Sequence, residues 1–218
     1  MKRFMMILAI FLSMLIFAAL VKSQSNPQVL LVLRDPIPQY IDTMLTKEVS
    51  VMKSMLEKAG FKVVAATTDG LPIKGSTVTF TPDLKLSDVK VDNYVGVINA
   101  CMGGGALPHI SVSPIAVSIA KQAVTQGKPV AASHGSVIIL AEAGVLVGKR
   151  YGYWVDPLGI GQRQDDRFTG AIYGGTGVVQ DRKIITCGIC PSVSEGQGLP
   201  DGTVELTQTF ITALTTKK

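Results

Sequence analysis

A chain of 218 residues, 47% of them hydrophobic and 17% charged, can bury a substantial core and suits one large domain better than two small ones. Of its formal charge of +5, Lys2, Arg3 and Lys22 supply three units ahead of the first acid, leaving +2 for the rest of the chain. Lys217 and Lys218 lie at the far end, and there is no basic run with interleaved aromatics, so the composition excludes an electrostatic footprint for nucleic acid.

In chain order, Lys2-Arg3 is followed by an uncharged apolar run from Phe4 to Val21 and then by Val21-Lys22-Ser23, whose residues suit cleavage after Ser23. This predicts a signal peptide over 1–23, a short linker over 24–27 and a single domain over 28–218. The product is exported, periplasmic or extracellular. An uncleaved anchor over residues 4–21 is the competing reading, since the run reaches the lower limit of a membrane span, and it would be the chain's only membrane contact. Val29 to Leu33 reads as a strand buried on both faces, Lys47 to Ala59 as a helix closing on Gly60, and Lys62 to Ala66 as a second strand. Thr67 to Lys90 is rich in turn formers, with an alternating Ser76 to Phe80, and reads as a small hairpin excursion. Tyr94 to Asn99 is the next core strand, followed by Gly103-Gly104-Gly105. Pro114 to Gln126 is a helix, Pro129 to Ala132 a strand and Ser136 to Leu146 a helix ending at Gly148. This alternation predicts a mostly parallel sheet with helices on both faces and a site at the carboxyl ends of the strands.

Two features at those ends carry chemistry. Val130 to Gly135 has the form of a nucleophile elbow: a strand turns sharply into a helix around Ser133, with the small residues Ala131 and Gly135 two positions to either side. The second is Glu48, which falls on the apolar stripe of Leu45, Val49, Met52 and Leu56. Its neighbours at helical spacing are Met44, Leu45, Val51 and Met52, so no base along the helix can pair with it. Burial there should raise its pKa and keep the carboxyl protonated as a hydrogen-bond donor.

The glycine loop after a core strand, the elbow into Ser133-His134-Gly135, the helix from Ile138 through Gly144 to Gly148 and the later Asp181 to Thr186 together resemble the DJ-1/PfpI family of the class I glutamine amidotransferase-like superfamily. The resemblance runs from about Val29 to Leu214. It implies a flavodoxin-like three-layer α/β/α sandwich with a mostly parallel sheet and a nucleophile elbow. It also implies a homo-oligomer, most simply a homodimer. The family's elbow carries a cysteine followed by His-Gly, whereas this chain reads Ser133-His134-Gly135. Deglycation, glyoxalase chemistry and redox sensing depend on a thiolate, which a serine cannot supply.

The resemblance assigns His134 as the base beside Ser133 and Glu48 as the carboxyl beside both. The backbone N–H groups of His134 and of Gly103 and Gly104 would form an oxyanion hole, and His109 would overhang the pocket. It also places the segment with Cys190 and Pro191 beside the pocket and Cys101 on its other side, so that Cys101 and one of Cys187 and Cys190 line it or form a disulfide that leaves one thiol over. Cys187-Gly-Ile-Cys190 has the spacing of a redox motif but follows a strand and ends into Pro191, so it is discounted as one. Neither the cysteines nor the histidines show metal-ligand spacing, and the glycine loop lacks the Lys-Ser/Thr of a P-loop, so no metal and no cofactor are expected. Two functions follow. One is a non-catalytic member whose pocket binds a small molecule or peptide. The other is a serine-dependent amidase- or peptidase-like hydrolase using Ser133, His134 and Glu48.

Overall fold

The computed structural model describes residues 26–103, 111–158 and 165–216. The N-terminal segment, Gly104 and His109 therefore lie outside the described residues.

Strand β1 (Gln28–Leu33) is apolar at every position after the first, and both of its faces are covered. Leu30 and Val32 enter one core, while Val29, Leu31 and Leu33 enter the other, as the alternation of side chains along a strand requires. Strands β2 (Lys62–Thr67) and β6 (Gly96–Ala100) flank it in parallel. Strands β7 (Val130–Ser133), β10 (Val178–Asp181) and β11 (Ile184–Cys187), with the short β5 (Leu84–Lys85), complete a seven-stranded sheet in the order β10-β11-β7-β6-β1-β2-β5. Every neighbouring pair is parallel except β10 with β11. Strands β3 (Ile73–Lys74) and β4 (Thr79–Phe80) form the expected hairpin, shorter than the alternation of Ser76 to Phe80 suggested. Strands β8 (Arg150–Tyr151) and β9 (Ile172–Tyr173) form a separate parallel pair.

Helices cover both faces of the sheet, giving the three-layer α/β/α sandwich. On one face lie α1 (Ile41–Met44), α2 (Ser50–Lys58) and α6 (Thr203–Thr215), which contribute Met44, Met52, Leu56, Leu206 and Phe210 to the core. On the other lie α3 (Pro114–Thr125) and α4 (Val137–Glu142), with Ile119, Ala123, Ile138 and Leu140. Pro at the first helical position and the Ser113 side chain, which accepts a hydrogen bond from Ala116 N, start α3. The helix expected over Lys47 to Ala59 begins earlier, at Ile41, because α1 runs into α2 through a π-helical turn, Leu45–Val49. The helix expected over Ser136 to Leu146 is shorter, stopping at Glu142. The short α5 (Pro191–Gln197) follows β11 with Cys190 as its N-cap residue.

Register brings the strand ends level. Leu33 pairs with Ala100, Asn99 with Ala132, and Ser133 with Cys187, so the residues that follow leave the sheet side by side. The order in which strands are added also reverses about β1, with β2 on one side and β6 on the other, which opens a crevice at these carboxyl ends. Gly188 sets the path of the chain there. An added Cβ would run into the Tyr153 carbonyl and stand 2.6 Å from Trp154 N. Gly188→Ala is therefore expected to destabilise the protein by roughly 1–3 kcal/mol. A thermal melt indistinguishable from wild type would contradict this contact.

Candidate functional site

The elbow is present, and its strain falls one residue later than the sequence reading placed it. Ser133 has ordinary extended geometry (φ −98°, ψ 131°) as the last residue of β7. His134 takes φ +36° in the left-handed region, a conformation unfavourable for a residue with a Cβ. The turn then continues as a 3-10 segment, His134–Ser136, into α4. Ser136 Oγ donates to Ala100 O at 2.7 Å and fastens the turn to the end of β6. The His134 ring packs against Tyr153 (centroids 6.1 Å apart, 24° between planes) and meets the edge of Trp154 at 6.3 Å.

The ring's Nδ1 faces sulfur. Cys101, which follows β6, places Sγ at 3.2 Å from it, and Cys190, the residue before α5, places Sγ at 3.5 Å. Cys101 Sγ also accepts the Gly135 backbone N–H at 3.4 Å, and Cys190 Sγ lies 3.2 Å from Ser192 Oγ. All three cysteines carry thiols rather than disulfides. The sulfurs of Cys101 and Cys190 and Nδ1 of His134 lie within 4.8 Å of one another, which is the donor set a soft metal ion takes. Sequence spacing had pointed to no such cluster, since residues 101, 134 and 190 meet only through the order of β6, β7 and β11.

Glu48 reaches the same place from the opposite helical layer. It sits on the π-helical turn, a feature that often marks functional sites because the extra residue re-aims a side chain. The carboxyl is fully buried, and Oε2 accepts the Met102 backbone N–H at 3.2 Å. Burial, helped by charge on Cys190, pushes its pKa up to about 8, against the opposing pull of Ser133 and the Met102 and Cys101 backbone. The protonated carboxyl expected from the apolar stripe is therefore what the site's electrostatics favour. Glu48 Oε1 and Ser133 Oγ are both buried without a hydrogen bond of normal geometry, yet Ser133 is near enough to the carboxyl to draw its pKa down. The hydroxyl thus neighbours Glu48, while the hydrogen-bonding partners of His134 Nδ1 are the two thiols.

The thiols divide into opposite roles. A hydrogen bond from Cys101, the Nδ1 contact and positive charge of His134, and Ser192 hold the Cys190 thiol well below the usual range despite burial. Burial and the neighbouring Cys190 hold the Cys101 thiol well above it. Cys187 stands apart: its Sγ points to Ile189 O at 3.5 Å, and burial pushes it up to about 12.

Of the residues singled out from sequence, Glu48, Cys101, Ser133, His134 and Cys190 converge, with Pro191 starting the helix behind Cys190. Gly103 lies at the edge of the described loop with φ +77°, where a Cβ would meet the Tyr40 side chain. Sequence reasoning missed Tyr153 and Trp154, which wall the imidazole, and Arg34, whose Nη1 is buried without a hydrogen-bond partner and whose charge acts on Cys101. Arg34 had a signal, since it directly follows a core strand.

Comparison with known proteins agrees with this architecture. The profile of the DJ-1/PfpI family matches residues 39–193. An uncharacterized protein of Archaeoglobus fulgidus is 37% identical over 106 residues, 48% of this chain and 58% of its own length. One of Methanocaldococcus jannaschii is 30% identical over 135 residues, 61% of this chain and 63% of its own. The chain thus spans about three fifths of the length of these curated relatives. Among solved structures, a ThiJ/PfpI domain protein from Brachyspira murdochii superposes with a TM-score of 0.64 at 18% identity, covering 87% of this chain and 97% of that one. Drosophila melanogaster DJ-1beta gives 0.56 at 21% identity, covering 88% and 100%. These structural likenesses speak to the fold, a three-layer α/β/α sandwich, and the profile match to descent: the chain belongs to the DJ-1/PfpI family.

Proposed function

We propose that this protein is a thiol-dependent member of its family whose nucleophile is Cys190, supplied from the segment that follows the strand beside the elbow. The carrying observation is Cys190 Sγ at 3.5 Å from His134 Nδ1. His134 occupies the strained position of the turn, where a sharp strand-to-helix elbow presents its reactive residue. Its side chain there acts on a neighbouring sulfur. A positive imidazole favours the thiolate, and the thiolate is the form that attacks an electrophile. Glu48, held protonated, can donate a hydrogen bond to the polar atom of a bound electrophile or to Ser133 Oγ.

A serine hydrolase at Ser133 has weaker support. Among the described residues its general base would be His134, whose Nδ1 is engaged with Cys101 and Cys190, and the hydroxyl sits in extended backbone beside a carboxyl that favours its proton. Export through residues 1–23 belongs to the same proposal and rests on the apolar run behind Lys2-Arg3. Recovery of the domain outside the cytoplasm with its N-terminus near residue 24 would support it.

The assignment of the nucleophile is tested by the ultraviolet absorbance of thiolate as a function of pH, in wild type and in Cys190→Ser. One thiolate that persists to acid pH in wild type and is absent from the variant is expected. Modification by a small methylthiolating reagent should then map to Cys190. Labelling of Ser133 by a fluorophosphonate, with Cys190 unmodified, would reverse the assignment.

A further inference from the structure

We propose that Cys190 and Cys101 act as a pair, reducing small peroxides by forming a reversible disulfide between them. This rests on the reading of Cys190 as nucleophile and adds a substrate class and a second reacting residue. Three observations carry it. The two sulfurs and the imidazole nitrogen between them lie within 4.8 Å, so closing to a bond of about 2.05 Å needs a movement of only ~2–3 Å, within reach of χ1 rotations. The third thiol, Cys187, is turned to the Ile189 carbonyl and stays out of the cluster. Cys101 and Cys190 are each 0% exposed and His134 only 3%, so access to the thiolate favours small electrophiles. Hydrogen peroxide is among the smallest of these.

The chemistry balances with no group beyond a peroxide and a thiol. The Cys190 thiolate attacks one peroxide oxygen, forming an S–O bond as the O–O bond breaks. The sulfur is oxidised to sulfenic acid, and the departing oxygen takes a proton to leave as water or alcohol. The Cys101 sulfur then attacks the sulfenic sulfur, its proton leaves with the hydroxyl as a second water, and a disulfide joins residues 101 and 190. A small thiol reductant returns two electrons and restores both thiols. Imidazole between the two sulfurs and Ser192 Oγ at 3.2 Å from Cys190 Sγ are placed to pass these protons.

The test treats the reduced full chain with one equivalent of hydrogen peroxide, counts thiols and maps the digest by mass spectrometry without reductant. The count is expected to fall from three to one per chain, with a peptide pair linked through Cys101 and Cys190. Cys101→Ser should instead accumulate a sulfenic acid on Cys190 that a dimedone probe traps, and Cys187→Ser should behave as wild type. With excess small thiol, peroxide consumption should be lost in Cys190→Ser. Retention of all three thiols, a bond to Cys187, or direct passage of Cys190 to sulfinic acid in wild type would overturn the proposal. If Cys190 reacts with the methylthiolating reagent and none of the disulfide forms, the peroxide reaction falls and the thiol reading stands. If Cys190 reacts with neither reagent, both fall.

Discussion

Replacing Glu48 by Gln is expected to turn the stability profile upward with pH between about pH 5 and 8, where two linked groups oppose one another in wild type. In the folded protein the Glu48 carboxyl titrates near about 8 rather than its ordinary 4.5. Across that window the native state holds a proton that the unfolded chain has released, so Glu48 contributes stability that is complete below 4.5 and lost as pH rises through about 8. At about 1.36 kcal/mol per unit, the whole excursion is on the order of 4–5 kcal/mol. Cys190 has the opposite sign: its folded pKa is depressed, so its contribution is present above the unfolded thiol pKa and lost as pH falls through the folded value. Glu48→Gln removes the falling component and leaves the rising one. Cys190→Ser leaves the falling one, made shallower because charge on Cys190 is part of what raises Glu48. Denaturant melts at several pH values read both slopes. A Glu48→Gln curve parallel to wild type would mean that the carboxyl is ionised in the native state.

Asparagine at position 134 is expected to keep the fold and to cost most of the acid-side reactivity of Cys190. Asparagine tolerates the left-handed backbone that His134 adopts at φ +36°, so the elbow survives. The imidazole contact and its charge, two of the causes that hold the Cys190 thiol down, are lost. The Cys101 hydrogen bond, the largest of the causes, remains, so the thiol rises only part of the way toward its ordinary pKa of about 8.5, at which it would be ionised to less than ~0.1% at about pH 5. The more basic thiolate is intrinsically more nucleophilic, which offsets part of the loss, leaving a rate reduction of up to about tenfold. Near neutral pH the two effects approach cancellation, so the diagnostic is the pH profile. Wild type should react almost independently of pH, while the variant should gain rate with pH. Identical profiles for methylthiolation would remove His134 from the activation of Cys190.

Much of the scaffold was legible because it rests on patterns local to the chain. The continuous apolar run of β1 announced a strand covered on both faces, and Gly60 marked where a helix ends. Glu48 was legible for the same reason: an acid on an apolar stripe without a base at helical spacing must be buried and neutral or out of register. The elbow's residue was less legible. Ser133 is flanked at two positions by Ala131 and Gly135, but His134 is flanked equally well by Ala132 and Ser136, so the demand for small neighbours did not choose between them. Backbone strain chose, and strain appears only when the strand has a register and the helix an axis.

The sequence by itself determined the alternating α/β architecture, the family, the carboxyl edge of the sheet as the place for a site and the unusual burial of Glu48. Periodicity and composition carry the architecture and the burial of Glu48 within a few turns of chain, while the family rests on a resemblance of motifs. The tertiary structure alone decided that the imidazole of residue 134 faces thiols from residues 101 and 190, and that Cys187 is excluded from them. That outcome depends on β6, β7 and β11 lying adjacent and level, a long-range pairing that no spacing between cysteines encodes.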